Sequence, residues 1–179
     1  MITAHDIRDL RTSSRDYLAT QELKQHLAEV HRQRQSFYLT SQEFDEILHW
    51  KLRNQYHRRS KWRLDNTDEI IRAITGLALS LEHSNKDYEL DLRMNILRSL
   101  RGVEVPVASA VLALAYPDTY AVIDFRGWRQ VFGEKRETYT VPQYKRYLCE
   151  VRRIARELEW PVQEADLAIW EYDLRTNQS

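Results

Sequence analysis

One aspartate, Asp124, stands where the sequence changes from an apolar run to an amphipathic segment. In the stretch YAVIDFRGWRQVF, residues 120–132, it follows four apolar residues and precedes Arg126 and Trp128. A carboxylate beside apolar residues at a helix start can stabilise positive charge that develops in a transition state. Aspartate is also a preferred N-cap residue, which stabilises a helix by roughly 1 kcal/mol. The residue types alone leave both roles open.

A second feature is the turn in LRGVEVP, residues 100–106, upstream of Asp124. Gly102 stands where a left-handed residue would end one helix, and Pro106 suits the first turn of the next helix. A short turn before a helix N-terminus can direct several backbone N–H groups at a phosphate. A plain connection between two helices would use the same residues, so the turn alone does not decide.

A third feature is the segment WKLRNQYHRRSKWR, residues 50–63, which holds no acid and interleaves Trp50, Tyr56 and Trp62 with cations. Such cations neutralise phosphates, and aromatic rings stack on an extruded base. The alternative is a solvated basic loop whose tryptophans fill the core. Lys51 falls on the apolar stripe of the preceding helix, so it either extends to solvent or faces a cavity. The cations are Lys51, Arg53, Arg58, Arg59, Lys61 and Arg63.

The elements that must position these residues are predicted to be helices. Only 4 Gly and 4 Pro occur in 179 residues, and apolar side chains recur at helical spacing along most of the chain. We expect an all-α fold of about eight helices in a single domain, residues 1–179. Capping boxes are predicted at Thr40 with Glu43 and at Asn66 with Glu69. The predicted helices cover about 21–35, 40–52, 66–81, 87–100, 106–116, 124–133, 142–159 and 162–175.

Composition restricts the function classes. Lys plus Arg and Asp plus Glu balance at 27 each, so any polyanion site must be a local patch. The single cysteine excludes an internal disulfide and a four-cysteine metal site, and the six histidines show no metal-ligand spacing. No signal-peptide core and no apolar run of membrane-spanning length occur. We therefore expect a cytoplasmic protein with no membrane partner, no obligate protein partner and no metal site.

Together, the turn and the aspartate resemble the helix–hairpin–helix (HhH-GPD) DNA glycosylase superfamily over residues 100–133. The C-terminal EADLAIWEYD is similar to the closing helix of small bacterial 8-oxoguanine DNA glycosylase-like members. In the family the hairpin reads roughly Leu-Pro-Gly-Val-Gly, and an apolar stretch ends in Val-Asp. The matching residues are Leu100, Gly102, Val103 and Ala108 in the hairpin and following helix, and Val122, Ile123 and Asp124 in the segment that ends in the catalytic aspartate.

The resemblance implies two packed helical subdomains with a helix–hairpin–helix element at about 88–116, a hairpin at 100–106 and a catalytic segment at 120–133. It implies a monofunctional enzyme that flips a damaged or modified base out of DNA and hydrolyses its N-glycosidic bond, with Asp124 as the catalytic carboxylate. The partner would be duplex or single-stranded DNA. No cofactor is expected, although the family analogy allows a monovalent cation at the hairpin carbonyls.

The sequence also departs from the family pattern. Glu104 replaces the second hairpin glycine and brings a negative charge near the expected phosphate, while Arg101 replaces the usual proline. Pro106 stands where lyase-type members carry a nucleophilic lysine, which rules out a Schiff base at that position. The alternatives are a catalytically inactive member of the fold that binds nucleic acid or a protein, and an interaction protein that never touches DNA.

The site residues predicted from these features form two groups. The group expected to contact the DNA backbone is Arg101, Gly102, Val103, Glu104, Arg58, Arg59 and Lys61. The group expected to line the base pocket is Trp50, Lys51, Arg126 and Trp128.

Overall fold

Helix-favouring residues run through almost the whole chain, and the fold is all-α as predicted. The computed structural model describes residues 1–59 and 63–177, apart from the side chains of Arg58 and Arg59. Within these residues the α-helices are α1 (Ala4–Ile7), α2 (Tyr17–Gln33), α3 (Ser41–Leu52), α4 (Asp68–Ser80), α5 (Lys86–Leu97), α6 (Val105–Ala115), α7 (Phe125–Phe132), α8 (Val141–Leu158) and α9 (Val162–Thr176). Two 3₁₀ segments, Arg8–Leu10 and Arg53–Arg59, follow α1 and α3.

The eight predicted helices correspond to α2 through α9. The additional helix, α1, is a single turn of four residues. Apolar periodicity identifies a helix over a window of several turns, so an element of this length carries too little pattern to be predicted.

The central element is α6, whose sequence VPVASAVLALA is apolar all round. Nine of its 11 residues are buried, and α2, α3, α5 and α9 all contact it. A helix that is apolar on every side belongs in the core, since its whole surface must leave water. Small residues such as Ala108 and Ala110, both fully buried, let the neighbouring helices approach closely.

Two sets of helices meet around α6. On one side, α3 packs against α4 and α4 packs against α5. On the other side, α7, α8 and α9 pack against one another and α1 covers α8 and α9. Both α3 and α9 also contact α6, so side chains from the two sets can face each other across the central helix.

The caps show one confirmed prediction and one wrong one. Thr40 forms the predicted capping box with Glu43 at the start of α3. At α4 the cap is Thr67, whose hydroxyl accepts from the Ile70 N–H. Asn66 is displaced from this role because its side chain bonds the hairpin: its Oδ1 accepts from the Arg101 N–H at 3.0 Å and its Nδ2 donates to the Arg101 carbonyl at 2.9 Å.

The connection between α5 and α6 has the predicted left-handed glycine but an earlier helix end. Regular α5 stops at Leu97, three residues before the predicted end at Leu100. Gly102 has φ +77°, and a Cβ there would lie 3.2 Å from Cγ of Arg63. Glycine fits this position because the left-handed backbone is costly for other residues and the neighbouring arginine leaves little space. Pro106 lies in the first turn of α6, where its missing N–H costs nothing.

Candidate functional site: a cavity at the start of helix α7

The site is built on a buried, non-helical segment, residues 120–123, that joins α6 to α7. Buried backbone N–H and C=O groups need hydrogen-bond partners, and a segment outside regular structure must find them in side chains. The Val122 N–H donates to Oδ2 of Asp166 at 3.0 Å. The Ile123 N–H donates to Oγ of Ser109 at 3.1 Å.

Two further side chains bind carbonyl groups of this segment. The Tyr144 hydroxyl donates to the Ala121 carbonyl at 2.9 Å, and Nζ of Lys51 donates to the Ile123 carbonyl at 3.2 Å. Helices α3, α6, α8 and α9 therefore each contribute one side chain that fixes the segment. Asp124 is the next residue, so four helices determine where its carboxylate lies.

Asp124 is the N-cap of α7 and also faces a cavity. Its Oδ1 accepts from the N–H groups of Arg126 and Gly127, at 3.0 and 2.9 Å. Its Oδ2 lies 3.8 Å from Nζ of Lys51, and the side chain keeps 23% of its surface exposed. One oxygen thus caps the helix while the other remains open to the cavity, so the two roles considered for Asp124 are compatible.

The cavity lies between α3 and the set formed by α7, α8 and α9. Its enclosed volume is about 50 Å³, and the free space counted out through the open mouth is about 450 Å³. Its described lining residues are Trp50, Lys51, Arg53, Val122, Asp124, Gly127, Tyr147, Gln163, Asp166, Leu167 and Trp170. The lining combines three aromatic side chains with a lysine, an arginine and two carboxyl groups, which is the mixed character of a ligand site.

Helix α3 supplies the side chains opposite Asp124. Nζ of Lys51 donates to the Ile123 carbonyl and lies near the Asp124 carboxylate. The lysine side chain is only 9% exposed. Trp50 lines the cavity and is fixed by its Nε1, which donates to Oγ1 of Thr20 at 3.1 Å. Of the two alternatives for Lys51, the structure shows the one in which it faces a cavity.

The end of α3 carries a strained arginine at the mouth. Arg53 has φ +48° and ψ −123°, a left-handed backbone that costs a residue with a Cβ on the order of 1–3 kcal/mol. Its guanidinium lies 4.5 Å from the ring centroid of Trp170 and pairs with Asp16. Burial lowers the pKa of Arg53, and neighbouring Arg15 and Arg126 act in the same direction while Asp124 opposes them.

A second carboxyl group, Asp166, lies in the floor of the cavity. Its Oδ1 accepts from the Tyr147 hydroxyl at 2.5 Å, and Oδ2 accepts from the Val122 N–H. The residue is 6% exposed. Burial raises the pKa of Asp166 to about 7; Asp124 adds to that rise, while Tyr147, Val122 and Lys51 oppose it.

The other two residues predicted for the base pocket do not line this cavity. Trp128 is 1% exposed and packs against Phe132 and Tyr139 in the core. The Arg126 guanidinium pairs with Asp173 at 2.9 Å rather than with Asp124. Trp128 therefore has a packing role, and Arg126 helps to fix α7 against α9.

The hairpin residues lie apart from the cavity lining, and several of their polar groups are bonded within the protein. The Arg101 N–H and carbonyl bind Asn66, and the Arg101 side chain pairs with Asp65. Val103 is 4% exposed, and its N–H donates to the Leu100 carbonyl. Glu104 N-caps α6 without a side-chain cap bond and lies 3.8 Å from Arg98.

The basic segment is described only in part. Trp50, Lys51 and Arg53 reach the cavity, whereas Tyr56 stacks on His49 with ring centroids 3.6 Å apart. The predicted DNA contacts Arg58 and Arg59 lie on the 3₁₀ segment Arg53–Arg59, and their side chains fall outside the described residues. Lys61 and Trp62 also fall outside them.

Sequence reasoning missed the contribution of α8 and α9 to the site. Tyr147, Gln163, Asp166, Leu167 and Trp170 all line the cavity. Asp166 did carry a signal, since it lies within Ala165–Ile169, where its four neighbours are apolar and buried. A carboxyl group on the buried face of a helix needs a partner or a function.

Searches of protein-family models, of curated proteins and of solved structures found no match to this chain. Within residues 1–59 and 63–177, no cluster of three or more His, Cys, Asp or Glu side chains is arranged to hold a metal ion. No helix in the described part of the chain combines the length and apolar character needed to cross a bilayer.

Proposed function

We propose that this protein is a DNA N-glycosylase that hydrolyses the bond between a flipped-out base and its sugar. The observation that carries the proposal is the position of Asp124, with one carboxylate oxygen fixed by the first turn of α7 and the other facing a cavity lined by tryptophans. The resemblance of residues 100–133 to the helix–hairpin–helix glycosylases, with Asp124 in the place of their catalytic aspartate, agrees with this position.

The chemistry follows from the charge at the cavity. Breaking an N-glycosidic bond leaves positive, oxocarbenium-like charge on the sugar. A carboxylate whose second oxygen faces a cavity can stabilise that charge and can take a proton from the attacking water. The two N–H bonds to Oδ1 of Asp124 hold the group in place, so little reorganisation is needed at the moment of reaction.

The aromatic and cationic side chains suit an extruded nucleotide. Trp50 and Trp170 both line the cavity and offer ring faces on which a base can stack. Arg53 and Arg126 both lie near Trp170, with guanidinium carbons 4.5 and 5.9 Å from its ring centroid. Arg53, which lines the cavity at its mouth, can neutralise a phosphate that flanks the extruded nucleotide.

The proposal is tested with duplex and single-stranded oligonucleotides that carry uracil, hypoxanthine, an oxidised guanine or an alkylated purine. Base release is detected as alkali-labile abasic sites under single-turnover conditions. We expect release from at least one substrate, and we expect Asp124→Asn to slow it by roughly 100-fold or more. Asparagine is as good an N-cap as aspartate, so the variant should fold and bind DNA like the natural protein.

Asp87→Asn is the matched control. Asp87 is an exposed carboxylate on α5 that pairs with Lys145 at 2.8 Å, much as Asp124 lies near Lys51, but it does not line the cavity. This variant should release the base at the natural rate. DNA binding with no base release from any substrate would refute the enzyme and favour a nucleic-acid-binding role, and unchanged release by Asp124→Asn would refute the assignment of Asp124.

A further inference from the structure

The cavity contains two carboxyl groups in different environments, and the mechanism above uses only one. Asp124 begins α7 and is partly open, with 23% of its side chain exposed. Asp166 lies on α9, is 6% exposed, and has a hydrogen-bond donor on each oxygen. Where two carboxyl groups share a site and their surroundings differ in this way, one usually acts as the acid and the other remains ionised.

Tyr147 connects the two groups. Its hydroxyl donates to Oδ1 of Asp166 at 2.5 Å, and the ring lies behind the cavity wall with no exposed surface. The same hydroxyl presses against the first turn of α7, because a Cβ at Gly127 would overlap it and would lie 2.9 Å from Cζ of the ring. The Gly127 N–H in turn donates to Asp124. The phenol is therefore wedged between the buried carboxyl group and the turn that holds the catalytic one.

The charged and titratable groups around Asp166 have opposing effects. Burial and the negative charge of Asp124 raise its pKa, while Lys51 on α3 and the hydrogen bonds from Tyr147 and Val122 lower it, and the result is about 7. Burial raises the pKa of Tyr147 and of Tyr144, the other phenol near Asp166, well above the usual range. Asp166 is therefore the group on the cavity floor that changes its protonation near neutral pH.

We propose that Asp166 is the proton donor of the reaction and delivers its proton directly to the leaving base, while the Tyr147 hydroxyl holds the carboxyl group in place. This inference rests on the proposed N-glycosylase function and names the second carboxyl group that such a function would use. Asp124 then keeps its negative charge for the sugar, so the two carboxyl groups divide the tasks of acid and electrostatic stabiliser.

The glycosidic bond breaks, its electron pair stays on the base nitrogen, and that nitrogen takes the proton from Asp166. The water oxygen bonds to the anomeric carbon of the sugar, and Asp124 accepts the proton that this water loses. Asp124 then releases that proton and Asp166 regains one from solvent, so the sum is the consumption of one water.

A purely structural role is the competing explanation, since Asp166 also binds the Val122 N–H and so fixes the segment before Asp124. Ser109 and Tyr144 do the same for Ile123 and Ala121 without carrying a proton that titrates near neutral pH. Ser109→Ala and Tyr144→Phe are therefore matched controls, because they loosen the same segment and leave the proposed proton donor intact.

The test measures single-turnover base release from about pH 5 to about pH 9 on the best substrate of the oligonucleotide panel. The natural protein should slow as the pH rises through about 7, the pKa of Asp166. Asp166→Asn should be slower by roughly 100-fold below that pH and should lose the decline. Tyr147→Phe removes a hydrogen bond that lowers the pKa of Asp166, so its decline should move to higher pH. Ser109→Ala and Tyr144→Phe should keep the decline even where their rates fall. A decline that survives in Asp166→Asn would overturn the proposal.

Carbon NMR of protein labelled at the aspartate carboxyl carbons provides a readout that needs no substrate. The resonance of Asp166 is identified by its absence in Asp166→Asn, and we expect it to titrate near neutral pH. Titration of the Asp166 resonance near the usual aspartate pKa would overturn the inference. If Asp166 titrates near neutral pH but the protein releases no base from any substrate, the proposed function and the transfer step are both refuted. Base release with an unchanged pH profile in Asp166→Asn would refute the transfer step alone.

Discussion

The hairpin between α5 and α6 and the cavity at the start of α7 differ in how their polar groups are used. In the hairpin, Asn66 binds both backbone groups of Arg101 and Asp65 pairs with its side chain. In the cavity, one oxygen of Asp124 caps helix α7 and the other faces Lys51 and open space. The polar groups of Arg101 thus have partners within the protein, whereas one oxygen of Asp124 is left to bind a ligand.

The resemblance to the glycosylases depends on two features, the hairpin and Asp124, and the contrast distinguishes between them. The glycine and the proline of the hairpin are explained by the left-handed turn and the helix start that they form. Asp124 is explained only in part by the cap that it forms. Where a residue's local structural role leaves one of its hydrogen-bonding atoms unused inside a cavity, that atom is the better indication of function.

The largest expected difference between the two regions is in the stability that their ion-paired acids contribute. Asp173 is fully buried and binds Arg126 and Arg129, at 2.9 and 2.7 Å, which fixes α7 to α9. Asp173→Ala should lower the free energy of unfolding by about 3–5 kcal/mol, because it leaves two partly buried cations without their partner. The hairpin acid Asp65 is 56% exposed and pairs with Arg101, so Asp65→Ala should cost at most about 1 kcal/mol.

Urea denaturation of both variants measures the two costs. Equal losses of stability in the Asp173 and Asp65 variants would contradict the view that the cavity wall depends on a buried ion-pair network while the hairpin carries a surface pair. The pKa of Asp173 gives a second check. Burial alone would raise it, but hydrogen bonds from Arg129, Gln130 and Arg126 lower it below the usual value, so the network should persist down to acid pH.

The next largest effect is a pH dependence of stability that comes from the cavity. The pKa of Asp166 rises from 3.8 to about 7 on folding, so between these values the folded state holds a proton that the unfolded state has released. The stability from this group is fully present below about pH 4 and is lost as the pH rises through about 7, a change of up to ~4 kcal/mol. Chemical denaturation of the natural protein and of Asp166→Asn across this range measures it.

The difference between the two proteins is the informative quantity. Glu43, Glu164 and Asp173 have lowered pKa values and give the opposite slope, but they are present in both proteins. Asp166→Asn should therefore gain in relative stability as the pH rises from about 4 to about 7. Parallel curves for the two proteins would show that Asp166 is ionised throughout the range.

The glycines give the third test. Gly127→Ala places a methyl group against the Tyr147 hydroxyl, and overpacking of this kind costs about 1–3 kcal/mol. Gly102→Ala in the hairpin faces a left-handed φ of +77° and the side chain of Arg63, at a cost of about 1 kcal/mol. Because the clash at Gly127 involves the hydroxyl, Tyr147→Phe should recover part of the stability of Gly127→Ala and should do nothing for Gly102→Ala. Thermal unfolding of the singles and doubles measures this coupling, and strictly additive losses would contradict it.

The fold could be predicted from the sequence because its signals are local. Apolar periodicity locates α2 through α9, and Thr40 with Glu43 marks the start of α3 as predicted. Asn66 shows the limit of such signals: Thr67 takes the cap because Asn66 binds the backbone of Arg101, 35 residues away. A local pattern does not contain a contact of that range.

The site could be predicted on one side only. Asp124, Trp50 and Lys51 lie at the joints and stripes of helices whose limits the sequence reveals, and the structure brings them together around one cavity. Asp166 and Tyr147 come from helices that meet the segment before Asp124 only after the chain has folded. Trp128 has the same residue type as Trp50 but is 1% exposed, since its side of α7 faces the core.

The smallest effect that we expect is on DNA binding, which compares the cavity and the hairpin directly. Arg53 and Arg101 are both arginines with an acidic partner, 45% and 70% exposed, one at the cavity mouth and one on the hairpin. If the cavity is the part that engages DNA, Arg53→Ala should weaken binding several-fold and lower the salt dependence by about one phosphate contact, while Arg101→Ala should change both less. Fluorescence anisotropy with one labelled duplex, titrated at several salt concentrations, measures both quantities. A larger loss of affinity for Arg101→Ala would indicate that the hairpin contacts the DNA backbone, as the sequence predicts, and that the cavity binds only the base.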